Sequence, residues 1–373
     1  MSRPSQIIID LNAIRANCAL AQTLAPHSST VAVVKADAYG HGAVEVARAL
    51  EPQVTMLTVS CLEEAIVLRE AGIQKPILLL EGCFSAEEIV QAAQHKLELV
   101  VHTQHQVSDL QNSSVDHLFK VWLKIDSGMH RLGIDPTMAV TTYQQLSSLP
   151  CIDNIVLCTH LASADQLESD FTLKQLTCYE KAIEPILLAI GASQKKEPEQ
   201  SMANSAGILG WPQTRLSWNR PGIMLYGLSP FAEAHPQADK LLPAMTFKSQ
   251  IIALRDIQAG ECVGYGQSWQ AQRYSTIATV AVGYGDGYPR TAKSGTPVLI
   301  NGHRAPLVGR VSMDMICVDV TNLAQVKLGD EALLWGVARR GQYLSANEVA
   351  GFAGTIGYEL VTRMPTRAKR SFI

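Results

Sequence analysis

A lysine ends the apolar run Val31-Ala-Val-Val34, and Ala-Asp-Ala-Tyr39-Gly40-His41-Gly42 follows at once. An amine at the edge of a buried strand loses hydration, which favours its neutral form. A neutral lysine amine is a nucleophile toward carbonyl carbon and forms Schiff bases. Lys35 is the first candidate for covalent chemistry, against the plainer reading of a strand-end lysine whose stem packs while its charge reaches water. Tyr39, in the turn that leads toward the next helix, could set a phenol hydroxyl beside an anion.

Further candidates come in chain order. Lys124-Ile-Asp-Ser-Gly-Met-His-Arg131 carries two cations just past an apolar run, a pattern for anion recognition or for a surface ion-pair loop. His160 follows another such run; alone it reads equally as a satisfied core histidine. Asn204 and Ser205 open a helical segment, and Arg220, Gly222 and Ile223 stand in Asn219-Arg-Pro-Gly-Ile223. Tyr265 sits between two glycines, Tyr284 lies in Gly283-Tyr-Gly-Asp-Gly-Tyr288, and Met313-Asp314 follows Arg310-Val-Ser. Each of these last three is a turn-rich segment and a weak signal by itself.

The elements that must position these residues follow from periodicity. Short β-rich runs at 30–34, 55–59, 77–80, 97–101, 119–125, 152–159, 201–203 and 223–226 alternate with helical stretches at 11–24, 43–50, 62–71, 86–94 and 171–190. Eight strands, apolar almost throughout and separated by helices, predict a parallel sheet buried on both faces, and eight closes a barrel. The expected fold is α/β, an N-terminal (β/α)8 TIM-like barrel, with a doubly wound open sheet as the alternative. Such barrels place their chemistry at the carboxyl ends of the strands, and the loops after strands seven and eight commonly hold a phosphate. Asn204, Ser205, Gly222 and Ile223 fall there. With neither a Walker loop nor a strand–Gly-x-Gly-x-x-Gly–helix unit, one small phosphate ester is favoured over a nucleotide.

Beyond about residue 240 strand-like runs succeed one another at 245–254, 275–282, 296–300, 305–311, 315–320 and 331–334, joined by turns, which predicts a mostly-β domain. A helical pattern at 346–356 and a basic tail follow. With the proline-marked hinge at 231–242, the expected domains are 1–235, the barrel, and 236–373, the β domain. The polar loop 193–200 is the one low-complexity tract.

Composition excludes several classes. The 373 residues carry 31 Lys+Arg against 34 Asp+Glu, a formal net charge of −3, which argues against a nucleic-acid or other charge-driven partner. With 47% hydrophobic and 17% charged residues the chain is neither disordered nor a coiled coil. Its 8 cysteines are scattered, with no Cys-x-x-Cys and no histidine clustering, so neither a metal site nor a disulfide framework is expected. No run approaches a membrane span and no secretory signal is visible; a reducing, cytoplasmic setting is expected.

Taken together, the Lys35 segment, Arg220, Tyr265 and the Met313-Asp314 pair resemble the alanine racemases, isomerases of the fold-type III group that depend on pyridoxal 5′-phosphate. The resemblance runs from about Ile7 to Arg367, in order. It implies that Lys35 anchors the cofactor and that Tyr39, Ser205, Gly222, Ile223 and Tyr358 contact its phosphate, with Asn204 beside them. Arg220 is implied to face the pyridine nitrogen, supported by His160. Arg131 is implied near the cofactor's phenolic oxygen and the substrate carboxylate, Met313 as a backbone donor to that carboxylate, and Tyr284 at the entrance. Lys124 matches a lysine that is often carbamylated in the family.

The implied reaction removes a weakly acidic Cα proton from L- or D-alanine and returns one to the opposite face, supplying D-alanine for peptidoglycan or degrading one isomer. Two acid/base groups are needed, implied to be the catalytic pair Lys35 and Tyr265, each tuned down from an ordinary pKa of roughly 10. In the family Tyr265 acts in the partner subunit's site, which implies a homodimer. Ser312 stands where many relatives carry Cys, and Asp37 where Asn is common; little consequence is expected of either. The alternatives are a racemase of broader specificity, acting on serine, lysine or arginine, and a non-catalytic pyridoxal-phosphate carrier. Such carriers share the barrel and its lysine but lack the β domain.

Overall fold

The computed structural model describes residues 3–192 and 196–373, so the first three positions of the polar loop 193–200 lie outside the described residues. The chain opens on a short strand, β1 (Gln6–Ile9), and a helix, Leu11–Leu24, whose start is fixed by Asp10 accepting the N–H groups of Asn12 and Ala13 at 2.9 Å. Eight parallel strands then close into a barrel: β2 (Ser29–Val33), β3 (Met56–Val59), β4 (Ile77–Leu79), β5 (Leu97–Val101), β6 (Phe119–Lys124), β7 (Ile152–Cys158), β8 (Gln200–Ser201) and β9 (Trp218–Asn219). Closure is made by β9 against β2, with Ser29 opposite Trp218 and Thr30 opposite Asn219.

The expected (β/α)8 barrel is therefore present, with one correction. The eighth strand is Trp218–Asn219, and Ile223–Tyr226 is a turn of 3₁₀-helix. The apolar run at 223–226 is buried because it packs against the helix Leu11–Leu24 and the end of β2, where Asn17 Nδ2 donates to the Leu225 carbonyl at 3.0 Å and the Tyr226 hydroxyl to the Val33 carbonyl; Pro221, which lacks an N–H, precedes it.

Alternation along the strands sends one set of side chains inward. Val31, Met56, Leu78, Val100, Trp122, Val156, Cys158 and Trp218 fill the barrel as a cluster separate from the layer between strands and helices. The amino end is closed by Trp122 and Trp218, whose rings lie 5.5 Å apart, with Lys120 4.3 Å above the Trp218 ring and paired to Glu199 at 2.9 Å. The barrel interior is packed at that end, and a large cavity opens at the carboxyl ends of its strands.

The second half forms a sheet from β10 (Met245–Ile257), β11 (Cys262–Val263), β12 (Trp269–Gln270), β13 (Ser275–Val280), β14 (Pro297–Ile300), β15 (His303–Val308), β16 (Ile316–Asp319), β17 (Glu331–Val337), β18 (Tyr343–Leu344) and β19 (Lys369–Phe372), with β11 and β12 standing apart as a hairpin. The long β10 pairs with β13 through one half and with β17 through the other, curling the sheet on itself. Two members come from the ends of the chain: β1 pairs antiparallel with β10 and parallel with β19. The stretch 6–9, which falls within the domain expected at 1–235, is thus part of the second sheet. Among the described residues no helix is long and apolar enough to cross a membrane, and no group of three or more His, Cys, Asp or Glu could hold a metal ion. All eight cysteines are free.

Candidate active site

Lys35 leaves β2 at its carboxyl end, and the backbone then does something rare. Ala36, Asp37, Ala38 and Tyr39 all take φ between 51° and 53°, one turn of left-handed helix made of non-glycine residues. Each such residue is destabilised by roughly 1–2 kcal/mol relative to the right-handed form. The turn is held by a ring of hydrogen bonds: Ala36 N–H to Glu64 Oε1 at 2.7 Å, Ala38 N–H to the Val34 carbonyl at 2.9 Å, and His41 Nδ1 to the Tyr39 carbonyl at 2.8 Å. His41 is wholly buried against the Tyr226 ring, and burial lowers its pKa to about 4, so the neutral imidazole donates from Nδ1. Tyr226 in turn donates to the Val33 carbonyl at 2.7 Å, tying the turn to the strand end that presents Lys35.

A cavity of about 680 Å³ opens over this end of the barrel. Lys35, Tyr39, Lys124, Arg131, His160, Asn204, Ser205, Arg220, Gly222, Ile223 and Tyr358 all line it, so one rim gathers residues spread over more than 300 positions. Burial, with the Arg131 charge beside it, holds the Lys35 ammonium below its ordinary range. Burial, reinforced by Arg220, Arg131 and Lys35, lowers Lys124 to about 8. Among the described residues none of the four cations, Lys35, Lys124, Arg131 and Arg220, makes a salt bridge within the chain. Glu81 and Asp165 also line the cavity, so the rim carries more positive than negative groups.

Arg220 is fixed by a fan of acceptors: Ser201 Oγ, the carbonyls of Thr159 at 2.7 Å and Met202 at 3.1 Å, and His160 Nδ1 at 3.4 Å. Burial together with the charges of Arg220 and Lys124 depresses His160 well below the ordinary imidazole range, so His160 accepts from Arg220 as a neutral ring. The opposite wall is aromatic and small. Tyr39 packs between Tyr226 and Tyr358, with centroids at 4.9 and 6.3 Å, and burial raises its phenol to about 12. Ser205 Oγ accepts the N–H groups of Gly222 and Met224 at 2.9 and 3.3 Å, while Asn204 caps the short helix at Gly207. A Cβ on Gly222 would stand 2.8 Å from the Tyr39 hydroxyl, so only glycine leaves that corner open.

Tyr265, Tyr284 and Met313 do not line this cavity; they lie on the β half, 69%, 42% and 52% exposed. They are neighbours in structure. Tyr284 N–H donates to the Ser312 carbonyl at 3.1 Å, Gly285 N–H to the Met313 carbonyl at 2.9 Å, and the Arg310 guanidinium lies against Gly266 beside Tyr265. The Met313 N–H makes no hydrogen bond within the described residues. Asp286, fully buried and bound by Arg3 Nε at 2.8 Å and Nη2 at 2.5 Å, holds this loop pair together.

Sequence reasoning missed Glu81, Cys158 and Asp165 as cavity residues and Glu64 as the carboxylate under Ala36. Glu81 follows the run Ile77–Leu80 and Cys158 ends that of the sixth barrel strand. The rule that drew attention to Lys35, a polar residue at the carboxyl end of a barrel strand, would have found both.

A closed (β/α)8 barrel with polar residues gathered at the carboxyl rim has the layout of a barrel enzyme. Residues 9–230 match the family description "Alanine racemase, N-terminal domain" and residues 244–372 "Alanine racemase, C-terminal domain". The chain is 50% identical to an alanine racemase of Pseudoalteromonas atlantica, with all of both chains covered. It is 44% identical to a catabolic alanine racemase of Pseudomonas putida, covering 100% of this chain and 99% of that one. The crystal structure of a biosynthetic alanine racemase from Pseudomonas aeruginosa superposes with a TM-score of 0.91 at 44% identity, covering 100% and 99% of the two chains. The chain belongs to the alanine racemase family.

Family members depend on pyridoxal 5′-phosphate, and the cavity fits that group. Its rim offers a lysine amine whose neutral form is favoured, and unpaired cations for an anionic ligand. The corner between Tyr39, Ser205 and Gly222 is kept clear by the missing Cβ.

Proposed function

We propose that this isomerase, an alanine racemase, exchanges the Cα proton of alanine with two of its own side chains, Lys35 on one face and Tyr265 on the other. One observation carries the reading. In a chain 44–50% identical along its length to alanine racemases, Lys35, Arg131 and Arg220 converge on a single cavity, and among the described residues no carboxylate is paired to any of them.

Bound pyridoxal 5′-phosphate supplies a conjugated electron sink for the charge left at Cα. The other tasks belong to the chain. Lys35 anchors the cofactor and, as a neutral amine favoured by burial, takes or returns a proton on its face. Tyr39, Ser205, Gly222, Ile223 and Tyr358 hold the phosphate, with Asn204 shaping the helix start beside them. Arg220, supported by His160, donates to the ring nitrogen without protonating it, because arginine keeps its charge. That restrains the sink and favours return of the proton to Cα over side reactions. Arg131 and the Met313 N–H receive the substrate carboxylate, and Tyr284 lines the entrance. Lys124 is carbamylated, a modification that needs the neutral amine made available by its lowered pKa.

Tyr265, Met313 and Tyr284 stand on the exposed face of the β half, away from Lys35 of the same chain. A homodimer in which a second copy brings this face to the cavity completes the site, and the setting is cytoplasmic. The domain division follows most of the chemistry: the barrel residues up to about 235 supply every cofactor contact but Tyr358, and the remainder carries Tyr358 and the second proton carrier. The β half argues against a pyridoxal-phosphate carrier, and the match to alanine racemases argues against a broader racemase.

The test is incubation with L-alanine, and separately with D-alanine, in deuterated water, following Cα exchange and optical inversion. Exchange with inversion in both directions is expected. Exchange with retention alone, or none with cofactor bound, would refute the racemase.

A further inference from the structure

Three parts of the C-terminal chain bear on the left-handed turn after Lys35. The Val361 carbonyl oxygen occupies the place beside Gly40 where a Cβ would stand, 2.0 Å from it. The Phe372 ring lies 2.9 Å from the corresponding point at Gly42, whose φ is +94°. Arg370 Nη1 donates to Asp37 Oδ2 at 2.6 Å, while Asp37 Oδ1 accepts the N–H of Ala43, the first residue of the helix Ala43–Leu50, at 2.7 Å. Arg370 and Phe372 both belong to β19, which runs parallel to β1. The strand is fastened by Ile373 N–H to the Ile9 carbonyl at 2.9 Å and Leu11 N–H to the Ile373 carbonyl at 3.0 Å.

A run of four non-glycine residues at positive φ persists only where its surroundings over-determine it. The barrel supplies part of that support through Glu64 and His41. The Asp37 side of the turn is met instead from the other half of the molecule. Asn at this position could still accept the Ala43 N–H but would carry no charge for Arg370, so Asp37 has a partner that an amide would not hold in the same way.

We infer that Arg370 and Phe372 are positioning residues: through Asp37 and Gly42 the last strand of the second sheet holds the turn that aims Lys35 and Tyr39, and thereby sets how firmly the enzyme retains pyridoxal 5′-phosphate. The inference rests on Lys35 as the cofactor anchor. The link runs through one chain, from a strand at the C-terminus to the first strand of the barrel.

A double-mutant cycle on the full chain tests it, using Asp37→Asn, Arg370→Met and the pair, with Arg370→Lys and Phe372→Leu beside them. The readouts are the dissociation constant of the apoprotein for pyridoxal 5′-phosphate and its thermal midpoint. Arg370→Met is expected to weaken cofactor binding about fivefold, the scale of a partly exposed ion pair. Asp37→Asn should do the same, the double variant no worse than either, and Arg370→Lys should restore part of the loss. Phe372→Leu should weaken binding independently of the pair, and carries the test should Arg370→Met fail to fold. Additive losses, or a lowered thermal midpoint with unchanged cofactor affinity, would overturn the inference. A Lys35→Ala protein that keeps the lysine-bound absorbance removes the anchor and this inference together, whereas additivity with Lys35→Ala colourless removes this inference alone.

Discussion

Arg220 Nη2 lies 3.4 Å from Nδ1 of His160, and burial together with that guanidinium charge keeps the ring neutral. A buried guanidinium keeps its charge, so the imidazole beside it stays neutral and serves as acceptor. Nη1 and Nη2 also bind Ser201 and the Thr159 and Met202 carbonyls, which leaves the side chain little freedom to rotate, while Nε makes no hydrogen bond among the described residues and stays available to the site. Lysine cannot reproduce that fan. Arg220→Lys is expected to lose at least tenfold in kcat/KM, the scale of one or two charge-assisted hydrogen bonds, and to bind cofactor more weakly. Activity retained to within twofold would show that a point charge is all the position requires.

Removing the lysine amine should abolish the covalent link outright. Lys35→Ala is expected to lose the visible absorbance of the lysine-bound cofactor even when pyridoxal 5′-phosphate is added in excess. Persistence of that absorbance would place the anchor elsewhere, with Lys124 the next amine on the rim.

The two proton carriers should be separable by enantiomer. Tyr265→Phe removes an acid/base group from one face only, so abstraction from one enantiomer of alanine should fall by about 10²–10⁴ while abstraction from the other falls far less. Deuterium washout from each enantiomer, measured before any inversion, reads the two steps apart. Equal losses would contradict a two-face mechanism.

Much of this site was legible because barrel chemistry falls where strands end. Seven of the eight barrel strands begin within one residue of the expected place, and Lys35, Lys124, His160 and Ser205 follow from that rule. What stayed hidden depends on distant partners or on rare backbone. The strand Trp218–Asn219 is only two residues long and too short to carry a period, so the apolar run 223–226 just beyond it looks more like a strand than the strand itself. Gln6–Ile9 pairs with residues about 240 and 360 positions away, which no local pattern announces. The left-handed turn of Ala36–Tyr39 runs against the preferences of Ala36, Ala38 and Tyr39, Asp37 alone being of a type that visits that region, as strained backbone at functional sites does. The resemblance supplied Tyr358, which no spacing had singled out.

Lys124 offers a test in solution. With its pKa lowered to about 8, the ammonium is mostly protonated at pH 6.5 and largely neutral at pH 9. Only the neutral amine adds carbon dioxide, so bicarbonate at pH 8–9 should add the mass of one carbon dioxide to the native protein and raise activity. Both effects should fade as pH falls below about 7. A Lys124→Met protein with the same bicarbonate response would refute the assignment.

Glu98 makes the closed end of the barrel sensitive to pH. It faces inward on β5, accepts Trp122 Nε1–H at 2.8 Å, and burial pushes its carboxyl up to about 7 despite Lys120 nearby. The folded pKa lies above the unfolded one, so the folded chain binds the proton more tightly. The associated stability is complete below the unfolded value near 4.5 and is lost as pH rises through about 7. Glu98→Gln keeps an oxygen for Trp122 and removes the charge. At pH 8 it should stabilise the protein by about 2 kcal/mol, a discounted figure because the group is not wholly buried, and at pH 5 by much less. Urea midpoints of both proteins at the two pH values measure the difference directly. Racemisation should be little changed, because Glu98 lies at the opposite end of the barrel from Lys35. A variant less stable at pH 8 than the parent would mean that the carboxylate is held charged, with Lys120 dividing itself between Glu98 and Glu199.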